Sequence, residues 1–211
     1  MSTIQVDNSE NPIRLFKSDF LEFFTHISPL AVVIIWLPVV FFFLVRGILQ
    51  RPAQSGWVFI PAAYALGLFL WTLAEYLLHR FLFHHHPKNP AHERIFFLFH
   101  GVHHAQPRVK TRLVMPPVVS IPLALLFYGL FWLVLGVLLS AGHWVGPMFS
   151  GFITGYLMYD LTHYATHHFN FRSGYFKMVR KHHMHHHFQT PEQRFGVSSP
   201  LWDYVFKTYP K

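Results

Sequence analysis

Ten of the eighteen histidines in this 211-residue chain fall into four spaced groups. "HRFLFH" carries His79 and His84, and "HGVHH" carries His100, His103 and His104. "HYATH" carries His163 and His167, and "HHMHH" carries His182, His185 and His186. An i, i+3, i+4 triplet puts three imidazoles on one helical face, and an i, i+4 pair does the same for two. His79 and His84 are five apart, about 140° round an ideal helix, so the helix must end or turn between them if both are to meet one centre. Neutral imidazole is a ligand for Zn, Cu, Fe and Ni. Ten donors exceed the roughly four to six that one ion takes and suit two ions. The other eight, His26, His85, His86, His92, His143, His168, His183 and His187, read as structural or exposed; His183 and His187 face away from the triplet beside them. With no cysteine, a thiolate can be neither ligand nor nucleophile.

The elements that must carry these groups are apolar. The chain is 52% hydrophobic and only 12% charged, half the charge of an ordinary soluble domain at about 25%. Four runs have spanning length: 27–49, 57–83, 118–139 and 145–167. The second would extend roughly 40 Å as a helix, longer than a bilayer core, so its His79 end projects. The expected fold is an all-α integral membrane protein with four transmembrane helices. The His-rich segments 84–117 and 168–211 contain no spanning run. Residues 1–26 form an N-terminal interfacial segment, with Leu15, Phe16, Phe20, Phe23 and Phe24 available as one apolar helical face, and 27–211 form a single domain. In "KNPAHER", Asn89 as N-cap and Pro90 at the first position mark a helix start. Gly151 and Gly155 have the spacing of a close helix contact.

Four spans would put fourteen of the seventeen Lys and Arg on one side and two on the other. That bias places the His-rich segments in the cytoplasm. It also accounts for the net charge of +8 without nucleic acid. The basic set Arg108, Lys110 and Arg112 fits the same bias, with contact to a lipid headgroup or an acidic electron donor as the other reading. Glu75 lies one turn before His79 and Asp160 three residues before His163; each is placed to accept a hydrogen bond from a ligand histidine.

The four boxes in this order resemble the membrane fatty acid hydroxylase superfamily, whose signature is HxxxxH, HxxHH, HxxxH and HxxHH. More narrowly, "EYLLHRFLFHHHP", "FHGVHHAQPRVKTRLVMPP" and "FGVSSPLWDYVFKT" are similar to the fatty acid 2-hydroxylase branch, from Trp57 to the C-terminus. The resemblance implies four transmembrane helices beneath a cytosolic helical cap, 84–117 and 168–211, that holds a histidine-rich dimetal centre. It also implies two iron ions, replaceable by zinc in purified protein, and O2-dependent hydroxylation of a fatty acyl chain at C2, free or in a sphingolipid-type amide. It divides the ligands as His79, His84, His100, His104 and His185 on one metal, and His103, His163, His167, His182 and His186 on the other. Eukaryotic members of that branch carry a cytochrome b5-type domain before the first span, where this chain has about 25 residues. Electrons are therefore expected from a separate cytochrome b5-like or ferredoxin-like protein. The setting is a bacterial inner membrane, or the endoplasmic reticulum in a eukaryote. A sterol or carotenoid oxidase or a desaturase would share the boxes. A metal transporter or storage protein would place ligands near the bilayer midplane, whereas these groups sit at one end of the spans.

Overall fold

The computed structural model describes residues 6–84 and 87–210; His85 and His86 lie outside the described residues. The described residues are helical, without strands, and divide into two compact units.

One unit comprises Leu30–Trp71 and Met115–Met158. It contains α2 (Pro29–Leu49) and the first part of α3 (Phe59–Leu77). It also contains α6 (Pro117–Phe131), which runs on as a π-helical segment to Leu138, and most of α7 (Val145–His168). Among the described residues, three helices are long and apolar enough to cross a membrane: Pro29–Leu49, Phe59–Phe83 and Lys110–Leu138. Their outer faces expose Leu30, Ile34, Phe41, Phe42, Leu125 and Leu126, a continuous apolar surface that lipid rather than water would cover.

The expected fourth span is a 24-residue helix, α7, but it is not among the three by apolarity. Its sequence is richer in small and polar residues because this helix is the buried one. Met148, Phe149, Phe152, Ile153 and Tyr156 are all nearly inaccessible. A Cβ on Gly151 would stand 2.0 Å from the Tyr64 carbonyl oxygen, and one on Gly155 would stand 2.5 Å from the Trp71 Cβ. The two glycines thus let α7 and α3 approach backbone to backbone. Ser150 donates to the Val40 carbonyl at 2.8 Å, which satisfies its buried hydroxyl.

The other unit comprises Met1–Pro29, Thr72–Val114 and Tyr159–Lys211. It holds the short α1 (Asp19–Phe23), the C-terminal ends of α3 and α7, α4 (Pro90–Phe96), α5 (Val102–Ala105), α8 (Gly174–Phe188) and α9 (Leu201–Val205). α4 starts where the sequence places it: the Asn89 side chain accepts the His92 N–H at 2.9 Å, with Pro90 next. The described part of the N-terminal segment, from Val6 on, forms five residues of helix, with Phe20 and Phe23 exposed. Its stretch from Asp7 to Ile13 lies along 105–112. Gln106 accepts from the Ile13 N–H at 2.9 Å, and the Arg112 guanidinium donates to Glu22 and to the Ile13 carbonyl, each at 2.6 Å. Arg112 is therefore a buried structural cation, while Arg108 and Lys110 are exposed.

Candidate metal centre

Five elements bring histidines together. His79 and His84 sit where α3 widens into a π-helical turn, Leu78–Phe83, closed by the His84 N–H to His79 carbonyl bond at 3.0 Å. The expected break or turn is instead a π-helical i→i+5 closure, which brings residues five apart onto one face. His100 ends a second π-helical segment, Phe97–Gly101, and His103 and His104 follow on α5. His163 and His167 lie on the last turns of α7. The last contributors lie on α8.

The ring nitrogens converge in two groups of five. One is His79, His84, His100, His104 and His186; the other is His103, His163, His167, His183 and His187. Within each group the candidate ligand atoms lie within 4.8 Å of one another. Nine of the ten histidines are buried, and His167 is nearly so.

The placement differs from the expected register on α8 by one residue. His183 and His187, read from sequence as bystanders, enter the second group, and His186 enters the first. His182 points instead at Asp203, Nε2 to Oδ2 3.0 Å, and stacks on Tyr209. His185 lies outside both groups and is partly accessible. The tract contains HxxHH twice, at 182/185/186 and at 183/186/187, and spacing fits both equally. The packing of α8 chooses the face that continues from Val179, which is inaccessible, over the face of Met178, which is exposed.

The contacts fit metal ions better than hydrogen bonds. Nε2 of His100 lies 3.0 Å from Nε2 of both His79 and His104. Nε2 of His103 lies 2.9 Å from Nε2 of both His163 and His187. Two further Nε2 pairs, His84 with His186 and His167 with His183, are 3.0 and 2.9 Å apart. His79 donates its Nδ1–H to the Phe195 carbonyl at 2.5 Å, which makes its Nε2 a lone pair. A single proton on His100 Nε2 can satisfy one neighbour and not both. A cation accepts all the lone pairs at once. With bonds of about 2.1 Å, two nitrogens on one ion stand about 3 Å apart, so these closest pairs would suit ligands of a shared ion.

The electrostatics agree. Burial first, then neighbouring imidazoles, hold His84, His100, His103, His104, His183 and His187 well below the ordinary histidine range. His186 is lowered to about 4 by burial, partly offset by its bond to the Gln193 carbonyl and by Asp203. All are neutral near pH 7, the form that binds metal.

Glu75 behaves differently from its sequence reading. Glu75 is buried, but its oxygens accept the N–H groups of Val197 and Ser198, each at 2.7 Å, and the Ser198 hydroxyl at 2.5 Å. Asp160 is buried one turn before His163. Sequence reasoning passed over the backbone of 193–198 and Asp203. Their one sequence signal is an acid in the aromatic tail "FGVSSPLWDYVF".

The fatty acid hydroxylase family model matches residues 64–208. A dihydroceramide fatty acyl 2-hydroxylase of Arabidopsis thaliana is 40% identical over 199 residues, covering 93% of this chain and 80% of the relative. A fatty acid 2-hydroxylase of Rattus norvegicus is 37% identical, covering 93% of this chain and 56% of the relative. Among solved structures, full-length scs7p, with only its hydroxylase domain visible, superposes with a TM-score of 0.81 at 35% identity. That match covers 92% of this chain and 70% of the other.

Proposed function

The chain belongs to the fatty acid hydroxylase family, and on that premise we propose that it places a hydroxyl group at C2 of a fatty acyl chain, using two iron ions held by the ten clustered histidines. The observation that carries this reading is the convergence of ten Nε2-type donors, nine of them buried, into two groups of five. The relatives are named for 2-hydroxylation of fatty acids and of the acyl chain of dihydroceramide, so the substrate proposed here is a free or sphingolipid-linked acyl chain.

Iron ions bound there would supply activation of O2, with one oxygen atom entering the C2–H bond and the other leaving as water. That stoichiometry consumes two electrons and two protons, which reach the site from a donor; a cytochrome b5-like or ferredoxin-like protein is the proposed partner. The chain's own residues do the rest. Neutral imidazoles would hold two ions, and neighbours in sequence (His103 with His104, His186 with His187) serve different groups. The Phe83 ring stacks on His100 and the Tyr159 ring on His163, which keeps water from the ligand set.

We further propose a multi-pass arrangement with α7 as the fourth crossing, residues 27–211 as one functional domain, and 84–117 with 168–211 as a cap on the cytoplasmic side. The excess of Lys and Arg in those segments supports this side. Asp160 remains a candidate acceptor for a ligand imidazole. The test is lipid mass spectrometry of cells expressing wild type or His186→Ala, with iron and a reductant supplied. The expected result is acyl lipid gaining one oxygen at C2 with wild type only. No oxidised acyl lipid in either, with both metals bound to the wild type, would overturn the reaction assigned.

A further inference from the structure

The loop after α8 presents two carbonyls to the first histidine group. The Gln193 carbonyl accepts from His186 Nδ1 at 2.7 Å, and the Phe195 carbonyl accepts from His79 Nδ1 at 2.5 Å. Behind them, four successive N–H groups are held by two buried carboxylates. Asp203 takes Phe195 and Gly196, each at 2.8 Å; Glu75 takes Val197 and Ser198, each at 2.7 Å.

The Phe195 carbonyl and the Gly196 N–H belong to one peptide plane and point opposite ways. Holding the Gly196 N–H on Asp203 therefore aims the Phe195 carbonyl at His79. A carboxylate that accepts from the N–H also strengthens the carbonyl on the far side as an acceptor. Gly196 permits the approach: a Cβ there would stand 2.0 Å from the Ser199 carbonyl oxygen and 2.9 Å from Asp203 Oδ2. Asp203 is wholly inaccessible and accepts two more bonds, from Thr208 Oγ1 at 2.7 Å and His182 Nε2 at 3.0 Å. Burial alone would raise its carboxyl; the bonds from His182, Thr208 and Gly196 outweigh burial and hold it below the usual range.

We propose that Asp203, with His182 as one of its four donors, is a positioning residue for the first metal: acting through the Phe195–Gly196 peptide it fixes the tautomer and aim of His79, and through the same loop it steadies His186. Metal-bound histidines commonly give the outer N–H to a carboxylate or a carbonyl; here the carboxylate acts at one remove, through a peptide. The proposal gives His182 a role beside the metal ligands, and it rests on the two-metal reading above.

Cobalt(II), whose absorption reports its ligand field, tests it in the full chain in detergent. Chelator competition follows release of each ion, and His84→Ala and His183→Ala assign the two phases. In Asp203→Asn the first-group ion is expected to leave about 10–100-fold more readily with shifted cobalt bands, while the second-group ion is unchanged. His182→Gln, which keeps a donor toward Asp203, should restore retention that His182→Ala loses. Wild-type release and spectrum in Asp203→Asn would overturn the proposal. So would equal weakening of both ions together with a lower melting temperature of the metal-free protein, which is what a general structural role predicts. If Asp203→Asn does not fold, equal retention in His182→Ala and His182→Gln overturns it. Fewer than two ions bound by the wild type would overturn the two-metal reading itself, and the proposal with it.

Discussion

In the first histidine group His79 and His186 each donate Nδ1 to a backbone carbonyl of 193–195, whereas in the second His103, His183 and His187 have buried Nδ1 atoms with no protein acceptor among the described residues. His163, bonded to the Leu113 backbone, is the second group's counterpart to those carbonyl contacts. The side chain is the same in both groups, and so is the Nε2 spacing. The difference lies one shell out. Two rings of the first group, against one of the second, are aimed by a backbone contact, so the first group has fewer rings to order when it binds an ion.

The largest effects come from the ligands themselves. His186→Ala and His187→Ala should each remove one of two ions per chain and reduce C2 hydroxylation to background, read by metal analysis and lipid mass spectrometry. Full metal in His187→Ala would break the register assigned to α8. Next is the order of release. In wild type the second-group ion should leave a chelator-treated protein first, by about 10–100-fold; simultaneous release would erase the distinction between the groups. Gly196→Ala comes third. Its Cβ forces the 196–199 turn to shift, at about 1–3 kcal/mol, and it should weaken the first ion and leave the second alone.

The pH response is smaller and common to both groups. The unfolded chain takes up protons on its histidines below about 6.5, while folded His186 resists until about 4. The metal-free fold is therefore most stable above about pH 6.5 and loses stability as the pH falls toward 4. Melting of chelated protein from pH 8 to pH 5 should follow that slope; rising stability on acidification would contradict the burial of neutral imidazoles. Smallest is His185→Ala. Lying outside both groups, it should keep two ions and change stability by about 0.5 kcal/mol or less.

The helices and most of the site were legible because both rest on periodicity. Apolar runs delimit α2, α3, α6 and α7; the box spacings single out eight of the ten clustered histidines, and the division that the resemblance implies matches the grouping for seven of them. Two features escaped. On α8, five histidines in six residues satisfy the spacing rule in two registers, and only packing decides between them. Around the first group, the orienting atoms are the carbonyls of Gln193 and Phe195, and a carbonyl leaves no mark in a sequence. Its traces were indirect: a glycine that no other residue could replace, and the acids Asp203 and Glu75 buried within aromatic segments. Glu75 was singled out as an acceptor for a ligand histidine, yet it serves the loop that supplies such an acceptor. α7, legible as a run, is less apolar than the other three, because a helix surrounded by other helices needs small residues more than greasy ones.

X-ray absorption at the iron edge, combined with metal stoichiometry, tests the central claim most directly. The account predicts two ions per full-length chain, each with about five nitrogen neighbours near 2.1 Å and the outer-shell scattering of imidazole. One ion per chain, or ions with only two or three imidazoles each, would contradict it.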